Sequence, residues 1–218
     1  TRIVEQEERK RYMSAENTTN TGAQEAENAE KYAVEVKNVT KIYRLYDKPI
    51  DRLKESLSVS HKEYHKDFYA LSDLSFTVEK GQTVGIIGGT GSGKSTLVNL
   101  IARFYDATSG TIQIDGQNIQ NYSQHDLREK IGVVPQRAVL FKGSIRENMK
   151  WGRENATDEE IWDALTTAQA REIVENKDGQ LDFKLEQNGR NLSGGQRQRL
   201  TIARAVVKKP EFLILDDS

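Results

Sequence analysis

The stretch GIIGGTGSGKSTL, Gly85 to Leu97, sits between a short apolar run and the start of a helix. Its spacing, Gly88-x-x-x-x-Gly93-Lys94-Ser95, is that of a loop that cradles phosphates. The reading predicts an apolar strand over Thr83 to Ile87 and a helix from Ser95 to Arg103. Glycines let the backbone take left-handed angles and turn successive N–H groups on to an anion, and the new helix adds its positive end. Gly88, Gly89, Thr90, Gly91, Ser92 and Gly93 are therefore the candidate cradle. Lys94 reaches the terminal phosphates, the Ser95 hydroxyl ligates Mg²⁺, and Thr96 assists. The bland alternative is a glycine-rich turn with a solvated lysine.

Upstream, AVEVKNVTKIY (Ala33 to Tyr43) and ALSDLSFTVEK (Ala70 to Lys80) alternate apolar and polar residues as half-buried strands do. Between them an amphipathic, basic insertion, about 44–69, reads as a short helix plus loop. Its His61 and His65 stand four apart on a possible helix face, a spacing a metal can use, but no Glu-containing motif accompanies them and solvated surface is the expected reading. Residues 1–31 read as a charged helical stub and flexible tail.

Downstream, SGTIQIDGQNI reads as a hairpin turning at Asp115-Gly116, followed by a short helix, an apolar strand from Ile131 to Val134 and a break at Pro135. Residues 145–175 are mainly helical, with Thr157 or Asp158 as a helix start and with Trp151 and Trp162 as packing residues.

Composition bounds the chain without deciding its role. It has 218 residues, 36% hydrophobic and 30% charged, with a net charge of −1, which suits one sizeable core with a lobe attached. Near-zero net charge offers no electrostatic case for nucleic acid. The absence of cysteine removes disulfides, thiolate metal sites and cysteine nucleophiles. No apolar run approaches the roughly 18 residues of a membrane span, and the N-terminus lacks the apolar core of a signal peptide.

Two further elements refine the phosphate-loop reading. LSGGQRQR, Leu192 to Arg199, places Ser193, Gly194, Gly195 and Gln196 at the start of a helix that runs to about Val207. That makes a second helix end suited to an anion, or else a capping turn with Ser193 as N-cap. FLILDDS, Phe212 to Ser218, reads as a buried strand that delivers Asp216 as a Mg²⁺ ligand to the C-terminal edge of a parallel sheet.

The phosphate loop, VVPQ, LSGGQ and LILDD, in this order over Ala33 to the last residue, resemble the ATP-binding cassette family. From about Leu71 onward the chain looks like the nucleotide-binding domain of bacterial multidrug exporters, whereas residues 33–70 look like the ATPase subunit of teichoic-acid or O-antigen polysaccharide exporters. The resemblance implies ATP and Mg²⁺ as cofactors, and a head-to-tail dimer with a second such domain that sandwiches ATP between the loop of one subunit and the LSGGQ of the other. It also implies transmembrane permease partners and a place on the cytoplasmic face of the plasma (inner) membrane. By position, Tyr43 stacks on adenine, with a strand-end core tyrosine as the plain alternative. Gln136 holds Mg²⁺ and the attacking water, and Ser193, Gly195 and Gln196 contact the opposite γ-phosphate.

Asp217 stands where the family usually carries a glutamate as general base, so a shorter carboxylate and a slow site are expected. The loop and switch histidine that follow in the family would lie beyond Ser218, and none of His61, His65 or His125 stands in place of that histidine. A chain incomplete at its C-terminus is expected, with weak or no hydrolysis of its own. The predicted fold is α/β, of the phosphate-loop NTPase type: a mainly parallel sheet flanked by helices, an antiparallel portion near the N-terminus, and a helical lobe at about 136–195. The predicted activity is ATP hydrolysis coupled to export. A nucleotide-binding regulatory module with little hydrolysis is the alternative.

Overall fold

A computed structural model of the chain describes residues 31–57 and 63–216, in two units, one up to Tyr122 and one from Ser123. Apart from Lys31, the expected N-terminal stub lies outside the described residues.

In the first unit the alternating segments pair as expected. Strand β1 (Tyr32–Tyr46) is followed by helix α1 (Pro49–Leu57) and β2 (His65–Glu79), and later by β3 (Ser109–Ile114) and β4 (Gln117–Asn118). They form one antiparallel sheet in the order β2-β1-β3-β4. Val36 lies opposite Phe76 on one side and Ile112 on the other, and Val34, Val36 and Val39 are buried. Asp115 and Gly116 both take positive φ, 49° and 74°, the geometry a two-residue hairpin turn demands. Helix α2 (Lys94–Ile101) follows the glycine-rich loop and buries Leu97, Leu100 and Ile101.

Three expectations in this unit are corrected. Thr83 to Ile87 forms no strand; the run is irregular, with Val84, Ile86 and Ile87 exposed. An apolar run becomes a strand only where a neighbour supplies ladder bonds, and the sheet of this unit is antiparallel throughout, with no parallel place for it. The insertion is less a loop than a longer hairpin: β1 and β2 stay paired out to Tyr46 and His65, and α1 sits between their ends. His65 therefore lies on a strand, not a helix face, and its side chain is only 8% exposed rather than solvated. His61 falls outside the described residues.

The second unit opens with α3 (Gln124–Lys130), capped by the Ser123 side chain, and β5 (Ile131–Val134). Strand β6 (Gly143–Ser144), helices α4 (Ile145–Lys150), α5 (Asp158–Thr167) and α6 (Arg171–Glu175), β7 (Lys184–Leu185), α7 (Gly194–Val207) and β8 (Phe212–Leu215) follow. Ile161, Ala164 and Leu165 of α5, and Leu200, Ala203 and Val207 of α7, recur at helical spacing and are buried in one cluster with Met149. Each fully buried leucine or isoleucine there contributes about 1.5–3 kcal/mol. Capping boxes start α4, α5 and α7, through Ser144 with Glu147, Thr157 with Glu160, and Ser193 with Gln196.

Trp162 packs against this cluster as expected, but Trp151 does not: it is 71% exposed and leans on Phe141, ring centroids 5.0 Å apart. Strand β8 pairs in parallel with β5, Val134 opposite Leu215, and is the parallel pairing among the described residues. It is buried less than its apolar run suggests, with Leu213 and Leu215 each about half exposed. No helix among the described residues is long and apolar enough to cross a membrane.

Candidate functional site

In the first unit the loop from Gly88 to Gly93 turns back on itself before α2. Ser92 N donates to Gly89 O at 3.2 Å, and the Lys94 ammonium donates to Gly88 O, which brings the lysine across the mouth of the loop. Three glycines are required by the chain itself, Gly91 among them because its φ of 81° strains any side chain. At Gly93, φ is 88° and an added Cβ would run into Ala70 O and stand 2.8 Å from Leu71 Cδ2; at Gly88 it would collide with the Ser92 side chain. Gly89 is different, because a Cβ there would meet nothing within 4 Å. The residue before α2 is Gly93, in a left-handed conformation, and no side-chain cap bond closes the helix start, a helix end of the kind that suits an anion. Gly89, Thr90, Gly91, Ser92 and Ser95 are exposed, and Thr96 is partly so.

Tyr43 is neither a strand-end residue nor part of the buried core. It lies within β1 opposite Phe68, half-buried, with Lys41 Nζ 5.3 Å from its ring centroid. Its aromatic face already attracts a cation.

In the second unit the end of the β5–β8 pair gathers two of the predicted residues. Asp216 follows Leu215 and its N–H continues the ladder to Val134 O at 2.9 Å, while exposed Gln136 comes two residues after Val134. A carboxylate and an amide thus stand at the C-terminal ends of adjacent parallel strands, the edge where ligands bind in open α/β sheets. Carboxylate, hydroxyl and amide oxygens are the hard donors that Mg²⁺ takes. Asp217 lies outside the described residues.

At the start of α7, Ser193 Oγ accepts from Gln196 N at 3.3 Å and Gln196 Oε1 accepts from Ser193 N at 3.0 Å. The capping alternative is therefore realised, in a form that leaves Gly194 and Gly195 unexplained. Neither glycine has positive φ, and a Cβ would find Arg197 at 3.9 Å from Gly194 and open space at Gly195. Glycine at a helix position costs about 1 kcal/mol against alanine. Nothing among the described residues requires glycine at either position.

Sequence reasoning missed Arg204. Its guanidinium is buried, with Nη2 donating to Val139 O at 3.0 Å and Nη1 without an acceptor among the described residues, and burial pushes its pKa down. No motif marks it; only its place on the inner side of α7 does.

The family model described as ABC transporter matches residues 71–218. This chain belongs to the ABC transporter family. Over 171 residues it is 46% identical to an uncharacterized ABC transporter ATP-binding protein, YfiB, of Bacillus subtilis, covering 77% of this chain and 30% of that protein. It is 43% identical over 173 residues to a putative multidrug export ATP-binding/permease protein of Staphylococcus aureus, covering 78% of this chain and 30% of that protein. Among solved structures, a bacterial Atm1-family ABC exporter with ATP bound superposes with a TM-score of 0.71 at 35% identity, over 85% of this chain and 29% of that one. The ABC chain thus has the α/β phosphate-loop NTPase fold with an antiparallel N-terminal sheet, and it spans about 30% of the length of these relatives.

Proposed function

We propose that the chain is the ATP-binding and ATP-hydrolysing part of an exporter, working on the cytoplasmic face of the plasma membrane with membrane-spanning permease partners. The observation that carries the reading is the glycine-started, side-chain-uncapped helix α2 with Lys94 folded across its loop, in a chain whose relatives include a putative multidrug export protein. Backbone amides from Gly88 to Gly93 cradle the phosphates, and Lys94 exchanges Gly88 O for the β- and γ-phosphate oxygens. Ser95, Gln136 and Asp216 supply oxygen ligands for Mg²⁺, which neutralises charge on the transferring phosphoryl group. Tyr43 offers its face to adenine, Gln136 orients the attacking water, and Asp217 accepts its proton. The side chain at position 217 is one methylene shorter than glutamate, so turnover is slow.

Gly194 and Gly195, which nothing among the described residues requires, are where a second copy or a related domain brings its nucleotide, with Ser193 and Gln196 turned on to that γ-phosphate. Cargo belongs to the rest of the assembly. The polysaccharide-exporter alternative rests on the resemblance of residues 33–70, and the multidrug type is supported by a relative such as the putative multidrug export protein.

Ser193→Arg separates the two phosphate-binding ends. Sedimentation with and without Mg·ATP is expected to show ATP-dependent self-association lost, with nucleotide affinity of the monomer kept within about twofold, because the substituted residue serves the partner's nucleotide. An equal loss of monomer affinity would mean that this helix end serves its own site.

A further inference from the structure

Phe68 lies directly opposite Tyr43 on β2 and is 48% exposed. A register shift decides which face of the hairpin the pair occupies. Lys41 is opposite Leu71, but Ile42 is opposite Tyr69, so β2 carries one extra residue, Ala70, at that point. Along a regular strand side chains alternate, and residues three apart, as Phe68 and Leu71 are, point to opposite faces. The bulge at Ala70 undoes that alternation. Residues opposite each other on paired strands share a face, so Leu71 goes with Lys41 and Phe68 with Tyr43. Lys41 and Tyr43, two apart on β1, also share a face, and Lys41 Nζ stands 5.3 Å from the Tyr43 ring centroid. All four side chains are therefore on one side of the sheet.

That side looks on to the phosphate loop, because Leu71 Cδ2 would stand 2.8 Å from a Cβ at Gly93. From the loop outward come Leu71 with Lys41 and then, two residues or about 7 Å farther, Tyr43 with Phe68. Lys41 is tethered on the loop side by donation to Asp106 O at 2.7 Å. Helix α1 leaves the aromatic pair uncovered: Glu55 ties it to Tyr46 and His65, which lie on the other face with Ile42 and Tyr69.

We propose that Phe68 is a second base-binding residue of the nucleotide site, and that with Tyr43 it makes a two-ring platform that selects a purine over a pyrimidine. The proposal rests on the reading of the glycine loop as the phosphate site and of Tyr43 as the seat of the base. The bulge at Ala70 is what brings Phe68 to the nucleotide's side of the sheet, the kind of re-aiming for which bulges are kept beside functional sites. A purine, two fused rings wide, covers both side chains, whereas a pyrimidine covers one. Stacking uses the flat face that every base has, so the platform reads ring size and does not tell adenine from guanine.

The test is calorimetric titration of Mg·ATP, Mg·GTP, Mg·CTP and magnesium tripolyphosphate into the full chain and into Phe68→Ala. The substitution is expected to weaken ATP and GTP about tenfold and CTP by less than about threefold, and to leave tripolyphosphate, which has no base, unchanged. Phe68→Trp keeps a ring at the position and is expected to hold ATP affinity within about twofold of the parent. Phe68 is half exposed, so both variants keep the fold, which circular dichroism checks. Unchanged ATP affinity in Phe68→Ala, equal losses for ATP and CTP, or a loss shared by tripolyphosphate overturns the proposal. Lys94→Ala tells its failure from failure of the phosphate-loop reading, since that variant loses all four ligands where the loop is the phosphate site, whatever Phe68 does.

Discussion

Glu55 shows how one carboxylate fastens an exposed helix to a hairpin. Helix α1 buries no residue of its own, yet Glu55 accepts from Tyr64 N at 2.8 Å, His65 Nδ1 at 2.8 Å and Tyr46 Oη at 3.1 Å. The bond from His65, then that from the Tyr64 amide, hold its pKa down at about 2. A depressed carboxylate pKa contributes stability that is present above the ordinary value near 4.5 and lost as pH falls toward 2. Glu55→Gln at neutral pH is expected to speed hydrogen exchange at the Tyr64 amide by roughly three- to tenfold, the small figure reflecting solvent screening. Unchanged exchange would mean that the helix is held by something else. None of this was legible in the sequence. His61 and His65 drew attention through their spacing, while the residue that matters to His65 is a glutamate ten positions back, found only once β1 and β2 are paired.

At the scale of elements, what was legible is what local chemistry decides. Thr157 and Ser193 start helices because their hydroxyls accept from the third residue on, and Asp115-Gly116 turns a hairpin because both residues accept positive φ. What failed depended on partners distant in sequence: Thr83 to Ile87 has apolar residues but no ladder, β8 has one half-exposed face, and Trp151 lies outside the cluster that takes Trp162. The glycine loop divides in the same way. Gly93→Ala forces a left-handed alanine against Ala70 O and is expected to cost about 2 kcal/mol or more in denaturant unfolding, with Mg·ATP binding lost as well. Gly89→Ala, open on all sides, is expected to leave stability within about 0.5 kcal/mol while still weakening binding. Equal destabilisation of both variants would show that the loop's glycines serve only the fold.

On the scale of the whole molecule, membership of the ABC transporter family was legible because its motifs are short, local and ordered along the chain, and the match over 71–218 agrees with them. Roles were less legible than membership. Ser193 and Gln196 are bound to each other, and Tyr43 carries Lys41 on its face. The account as a whole stands on Lys94 as the cation that meets the nucleotide's phosphates. Calorimetric titration of Mg·ATP into the chain and into Lys94→Ala, with circular dichroism to confirm that both are folded alike, tests it most directly. The expected result is saturable binding to the parent chain and a loss of at least about a hundredfold in the variant; equal affinity in two equally folded proteins would contradict it.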